Sequence, residues 1–356
     1  ENNLDKFGKS SAIDSQRSEI SNSCLCAAEK PVGIYRLVVP TGAGKTLSSL
    51  RYALRHAEIY KKKHIFYIAP YNSILEQNAS VIRKYLNADN EVLEHHCNIV
   101  LDEEGEYARY KELTAAWDSP IIVTTAVQFF NSLFLHKTSS VRRMHTLADS
   151  VIIIDEIQSI PIKCLSLFNL AINYLSNICK STVILCSATQ PLLDKLDNNC
   201  LARPEDIIPD YRKYKSAFKR TEIYDCTDIK PGGFSINDTV DFVLNKINDS
   251  QNILVVVNTK SCARKLFMSL REVISELKEA DEIELYHLST NMCAAHRKDA
   301  LESIRKNLIS KNKKMICIST QLIEAGVDIS FEIVIRSIAG LDNIIQAAGR
   351  CNRNFE

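Results

Sequence analysis

Five stretches ahead of Pro191 are continuous apolar runs rich in β-branched residues: Tyr35–Val39, Ile65–Ala69, Ile121–Thr124, Val151–Ile154 and Val183–Cys186. Each gives way to a polar or glycine-bearing turn and then to a stretch with helical spacing. A strand that is apolar at every position is buried on both faces, whereas a sheet open to water on one side alternates. The runs therefore predict a parallel sheet covered by helices. Leu47–Tyr60 and Ser73–Tyr85 carry apolar residues three and four apart, as crossover helices should.

The rhythm lapses after Pro191. Residues 201–234 are polar, hold a basic stretch (Arg212, Lys213, Lys215, Lys219 and Arg220) and contain the turn Pro231-Gly232-Gly233, as a connection between domains would. Strand-like runs return at Ile253–Val257, Glu284–His287, Met315–Ser319 and Ile333–Ile335. The expectation is an α/β protein of two tandem lobes, residues 1–222 and 223–356, joined over about 201–234. A length of 356 residues suits two domains, and 46% hydrophobic content is enough to fill two cores.

Charge says little about partners. The 44 basic residues nearly balance the 43 acidic ones, and a basic groove can exist on a neutral protein. The 12 cysteines are scattered without a C-x-x-C pair, so neither a zinc framework nor a secreted disulfide scaffold is expected. No apolar run approaches the length of a membrane span, and no signal peptide is expected. The expected setting is cytoplasmic.

The strongest local signal follows the first strand. Val39-Pro40-Thr41-Gly42-Ala43-Gly44-Lys45-Thr46 stands between a strand and a helix, the context of a phosphate-binding loop. Gly42 and Gly44 let the backbone of Thr41–Thr46 curl so that its N–H groups face phosphate oxygens. Lys45 is expected at the β- and γ-phosphates of ATP and Thr46 on magnesium, with the helix N-terminus adding a favourable dipole. Val39 stands where this loop often begins with glycine. Further on, Asp155-Glu156 closes the run Val151–Ile154. Adjacent acids at a strand end point different ways. Asp155 is expected to hold magnesium through water, and Glu156 to orient and deprotonate the attacking water.

With these residues the chain resembles the superfamily 2 helicases. Asp155-Glu156-Ile157-Gln158 resembles motif II, and Ser187-Ala188-Thr189 resembles motif III. The run from Thr320 to Asp328 resembles motif V, and Gln346-Ala347-Ala348-Gly349-Arg350-Cys351-Asn352-Arg353 resembles motif VI. The order is the superfamily's, and the motifs cover nearly the whole chain. The wording is similar to that of the CRISPR-associated helicase/nuclease of type I systems. A DEAD-box RNA helicase would carry Ala-Asp where Ile157 and Gln158 stand. The resemblance implies two RecA-like lobes, the second cut short after motif VI. It assigns Gly326 and Asp328 to ATP, Gln158, Ser187 and Thr189 to coupling, and Gln346, Arg350 and Arg353 to catalysis, the arginines as transition-state fingers. It also implies single-stranded DNA as partner, an RNA-guided CRISPR effector complex, and a histidine–aspartate nuclease domain elsewhere, since no His-Asp dipeptide occurs here.

Short polar residues just past strand ends are candidates for nucleic-acid backbone: Pro70 and Asn72, Thr124 and Thr125, Asn258 and Thr259, and Thr320. Ordinary helix capping explains Asn72 and Thr259 nearly as well. Gln16 and Arg17 lie where superfamily members read adenine. His95-His96 and Trp117 read as structural, and Asp102-Glu103-Glu104 as a solvated loop. An RNA helicase of another branch and an ATP-dependent clamp are the rival functions. Because the chain begins at Glu1 and stops just after Arg353, it is expected to be a fragment, with a loose second lobe and an uncovered Met315–Ser319 face.

Overall fold

A computed structural model describes residues 12–96, 104–196, 198–230, 232–277, 282–323 and 329–352. The chain divides into two units, the first ending at Phe218 and the second starting at Lys219. In the first, helix α1 (Ala12–Ala27) precedes β1 (Ile34–Val38), α2 (Lys45–Tyr60), β2 (Ile65–Ala69) and α3 (Asn72–Leu86). There follow β3 (Val92–His95), α4 (Glu104–Ala116), β4 (Ile121–Thr125), α5 (Ala126–Phe134) and α6 (Thr138–Leu147). The unit continues with β5 (Val151–Ile154), α7 (Leu165–Asn177), β6 (Thr182–Ser187) and β7 (Glu205–Asp206).

The sheet runs β3-β4-β2-β5-β6-β1-β7, parallel at every pairing. All carboxyl ends therefore share one edge, where open α/β sheets place their ligands. The uniformly apolar runs are the central strands, and every residue of β2, β4, β5 and β6 is buried. Phe66, Ile122, Ile152 and Leu185 pack with Trp117, Phe129 and Phe168 from the covering helices and loops.

Two strands escape the sequence pattern. Strand β3 has only four residues and includes Glu94. Strand β7 lies inside the polar stretch, where Arg36 meets Asp206 at 2.7 Å and Ile207 N–H donates to the Arg36 carbonyl at 2.9 Å. Leu201, Ile207, Ile208, Tyr214 and Phe218 are buried. The stretch up to Phe218 is thus packed into the first unit. Its apolar residues lack the even spacing that would have announced them.

The second unit holds α8 (Ile236–Asn248), β8 (Asn252–Val256), α9 (Lys260–Glu276), β9 (Ile283–Leu288), α10 (Ala294–Ser310), β10 (Lys314–Ser319), β11 (Ile333–Arg336) and α11 (Leu341–Ala348). Ser235 and Asp238 close a capping box at the start of α8, which satisfies two amides that the helix leaves free. The parallel order is β11-β8-β10-β9. Ile253, Val255, Ile316 and Ile318 face one core, lined by Val243 and Leu266, while Leu254, Val256, Met315 and Cys317 face another with Ile304 and Phe331.

This corrects the expectation of an uncovered Met315–Ser319 face. Strand β10 is paired on both edges, and Met315 through Ser319 are fully buried. Helices on both sides of a four-stranded sheet are enough to cover its central strands. Among the described residues no helix is long and apolar enough to cross a membrane.

Candidate active site

Strands β1, β6 and β5 are neighbours, so the residues that follow them converge at one edge of the first sheet. Val38 is level with Ser187 in the pairing register, and Ile154 with Leu185. The loop after β1 turns tightly: Ala43 N–H donates to the Pro40 carbonyl at 3.1 Å. Gly42 and Gly44 have φ of 86° and 82°, left-handed conformations that favour glycine. Gly44 is the N-cap of α2, and Lys45 and Thr46 open the helix, so its free amides face the loop.

Lys45 is half-buried between two carboxylates. Its Nζ lies 2.7 Å from Asp155 Oδ1 and 2.5 Å from Glu156 Oε1. Burial opposes the ammonium charge, but the two acids outweigh it and raise the Lys45 pKa well above its usual value. Burial also pushes the Asp155 carboxyl up, against Lys45 and with the help of Glu156. For Glu156 burial acts upward, but Lys45 and the Gln158 amide prevail and its pKa is lowered. Glu156 therefore stays ionised through the neutral range. Its backbone sits at φ 50°, a conformation uncommon outside glycine that turns the chain sharply off β5.

A second set of bonds runs sideways along the sheet edge. Gln158 Nε2 donates to Glu156 Oε2 at 2.5 Å, and Ser187 Oγ donates to Gln158 Oε1 at 2.7 Å. Thr189 N–H donates to Ser187 Oγ at 2.9 Å. The residues grouped as coupling residues are thus joined to the acid of the strand β5 end.

Tyr67 and Asn78 were not singled out in the sequence. Tyr67, buried on β2, donates its hydroxyl to Asp155 Oδ2 at 2.7 Å, and Asn78 Nδ2 donates to that hydroxyl at 3.2 Å. Thr46 Oγ1 donates to Asn78 Oδ1 at 3.3 Å. The only available signal was a polar tip inside the apolar run Ile65–Ala69. Arg17 does reach the loop, donating from Nε to the Gly42 carbonyl at 3.0 Å.

The donor set suits magnesium. It takes oxygen ligands, keeps several waters and draws the rest from phosphate, so one hydroxyl and one carboxylate suffice from the protein. Thr46 and Asp155 are oxygen donors in one polar cluster, and Asp155 is a buried carboxylate whose charge calls for cations.

The remaining candidates are dispersed. Thr124 is fully buried with its hydroxyl on the His95 carbonyl at 2.9 Å. Thr125 caps α5 through Gln128 N–H at 3.2 Å. In the second unit Thr259 caps α9 through Cys262 N–H at 3.1 Å. Asn258 is exposed, donating to the Ile338 carbonyl and accepting from Arg336, both at 2.7 Å. Pro70 and Asn72 are half-buried past β2, and Thr320 is buried past β10. Thr41 is exposed and Gln346 half-buried on α11. Arg350 is buried after α11, and its carbonyl accepts from Phe331 N–H at 2.9 Å. Arg220, read as part of a basic connection, donates to the Gly349 carbonyl at 3.1 Å and so braces that turn. Gly326, Asp328, Arg353, Asp102 and Glu103 lie outside the described residues. Trp117 and His95 are buried against each other, as their structural reading expects.

Comparisons with known proteins agree with this arrangement. The family model "DEAD/DEAH box helicase" matches residues 20–197, half of the chain. The model "CRISPR-associated nuclease/helicase Cas3, C-terminal" matches residues 249–356. A CRISPR-associated nuclease/helicase Cas3 of Haloferax volcanii is 25% identical over 91% of this chain and 45% of its own length. One from Methanothermobacter thermautotrophicus is 26% identical over 89% of this chain and 38% of its own. The chain thus spans less than half the length of these relatives. The crystal structure of T. fusca Cas3 with AMPPNP superposes with a TM-score of 0.75 at 16% identity, covering 100% of this chain and 45% of that one. The expected pair of RecA-like lobes is the fold observed. By its sequence match, its fold and its motifs in order, the chain belongs to the DEAD/DEAH box helicase family, and its second part is similar to the C-terminal part of the CRISPR-associated nuclease/helicases.

Proposed function

We propose that this chain is an ATP-driven motor that moves along single-stranded DNA, unwinding target DNA for degradation in CRISPR defence. The observation that carries the chemistry is Lys45, held between Asp155 and Glu156 where β1 and β5 end. A lysine so placed must exchange its carboxylate partners for phosphate oxygens when ATP enters. That exchange frees Glu156 to accept a proton from water as its oxygen attacks the γ-phosphorus and ADP leaves. Thr46 and Asp155 would hold magnesium, which neutralises phosphate charge. Backbone N–H groups of Gly42–Thr46 would bind the phosphates, and Gly326 and Asp328 would add contacts to the nucleotide. Arg350 and Arg353, with Gln346 beside them in sequence, would contribute at the transition state.

The Glu156–Gln158–Ser187–Thr189 chain supports coupling, because a change at Glu156 alters the bonds that hold Ser187. Asn72, Asn258, Thr259, Thr320, Pro70 and Thr125 remain the proposed contacts to nucleic-acid backbone, whereas Thr124, fully buried with its hydroxyl on the His95 carbonyl, offers no surface to one. The relatives' names support a setting in CRISPR defence and a nuclease as companion activity, and a structural neighbour from a CRISPR RNA-guided surveillance complex supports such a complex as partner. Phosphate release from ATP should be measured without nucleic acid and with single-stranded DNA, duplex DNA or single-stranded RNA. Stimulation by single-stranded DNA above the others is expected. Turnover that ignores all of them would refute the motor, and stronger stimulation by RNA would favour an RNA helicase.

A further inference from the structure

Tyr67 and Asn78 belong to none of the motifs, yet hydrogen bonds through them lead from Thr46 to Asp155. The route has one direction. The Thr46 hydroxyl gives its proton to Asn78 Oδ1, the Asn78 amide gives one to the Tyr67 hydroxyl, and Tyr67 gives its own to Asp155 Oδ2. An asparagine is suited to the middle, because its side chain accepts at one atom and donates at the other. The chain ties together four elements: α2 through Thr46, α3 through Asn78, β2 through Tyr67 and the end of β5 through Asp155.

The direction matters for a cation. A hydroxyl that donates to Asn78 turns its lone pairs away from Asn78, which is the orientation a metal ligand needs. At the other end Tyr67 engages Asp155 Oδ2, while Oδ1 faces Lys45 and the Glu156 N–H, at 2.9 Å from the latter. The two carboxylate oxygens are thereby given separate tasks. Tyr67 is 1% exposed and its hydroxyl can reach no solvent alternative, so the bond is not interchangeable with water. Burial and the Asp155 charge together hold its phenol protonated far above neutral pH.

We propose that Tyr67 and Asn78 are positioning residues that orient Thr46 and Asp155 for magnesium, through a relay internal to the first unit. The proposal rests on the ATP-site reading above. Partners outside a metal's ligands typically alter its affinity by roughly 10–100-fold when removed. The test is a fluorescent ATP analogue titrated into the full chain at a series of magnesium concentrations, including none with a chelator present. Tyr67→Phe should raise the magnesium concentration for half-maximal effect roughly tenfold, leaving magnesium-free nucleotide affinity unchanged. Asn78→Ala should act in the same sense. Ile68→Val, a buried change on the same strand outside the relay, should leave the magnesium midpoint where it is. An unshifted midpoint in Tyr67→Phe, or an equal shift in Ile68→Val, would overturn the relay. So would a loss of magnesium-free affinity in Tyr67→Phe, which would mark Tyr67 as packing for the loop. Failure of the ATP-site reading would show separately, as wild-type affinity in Lys45→Ala.

Discussion

His95 should make the first unit sensitive to mild acid. Both ring nitrogens face donors: Trp117 Nε1 lies 3.2 Å from Nδ1, and Arg143 Nη2 lies 3.4 Å from Nε2. A neutral imidazole can accept from one of them, whereas an imidazolium can accept from neither. Burial first, then the positive charge of Arg143, pushes the His95 pKa down to about 4 from an ordinary 6.5. Because the folded value is depressed, the unfolded chain takes up the proton first as pH falls. The ring's contribution is complete above about pH 6.5 and is lost progressively toward pH 4.

Integrating the proton difference from pH 7 to pH 5 gives a loss of about 2 kcal/mol from this residue alone. His95→Asn keeps an acceptor for Trp117 and removes the titration. The chain has a single tryptophan, and it is the one that touches His95, so its fluorescence reports on this unit. Urea unfolding followed by that signal at pH 7 and pH 5 should show the wild type losing about 2 kcal/mol more than His95→Asn. Equal pH dependence in the two proteins would refute the argument from facing donors.

Lys45→Ala should weaken ATP binding at least about tenfold, because the γ-phosphate loses its main cation, and a fluorescent-nucleotide titration reads this directly. Glu156→Gln should keep ATP affinity while turnover drops by about two to four orders of magnitude, since the base is gone and Asp155 remains; phosphate release at saturating ATP checks it. Ile316→Ala should cost the second unit about 2–5 kcal/mol in chemical denaturation, a buried strand residue lost from a two-sided sheet. A cost below about 1 kcal/mol would mean that β10 is less well covered than the structure has it.

The sequence alone determined whatever depends on residues close together in the chain. Uniform β-branched apolar runs such as Val151–Ile154 pointed to strands buried on both faces, and they are the central strands of the sheet. Gly42 and Gly44 marked a tight loop because backbone conformation is a local property, and their positive φ values follow. Asp155 and Glu156 were legible because the acidic pair at a strand end, by itself no more than a solvated turn, stands in a chain that also carries the phosphate-loop sequence Thr41–Thr46. Tertiary structure decided everything that depends on which distant residues meet. Tyr67 finds Asp155 and Asn78 finds Thr46 only once β2, β5 and the two helices are packed. Strand β7 exists because Asp206 reaches Arg36 across most of the first unit. Arg220 looked like one more charge in a polar stretch until its guanidinium met the Gly349 carbonyl. The buried β10 shows the same limit from the other side: its cover comes from helices α8, α9 and α10, and no local pattern in Met315–Ser319 could say whether they would arrive. Periodicity and turn chemistry are written in neighbouring residues, whereas hydrogen-bond partners and burial are properties of the assembled chain.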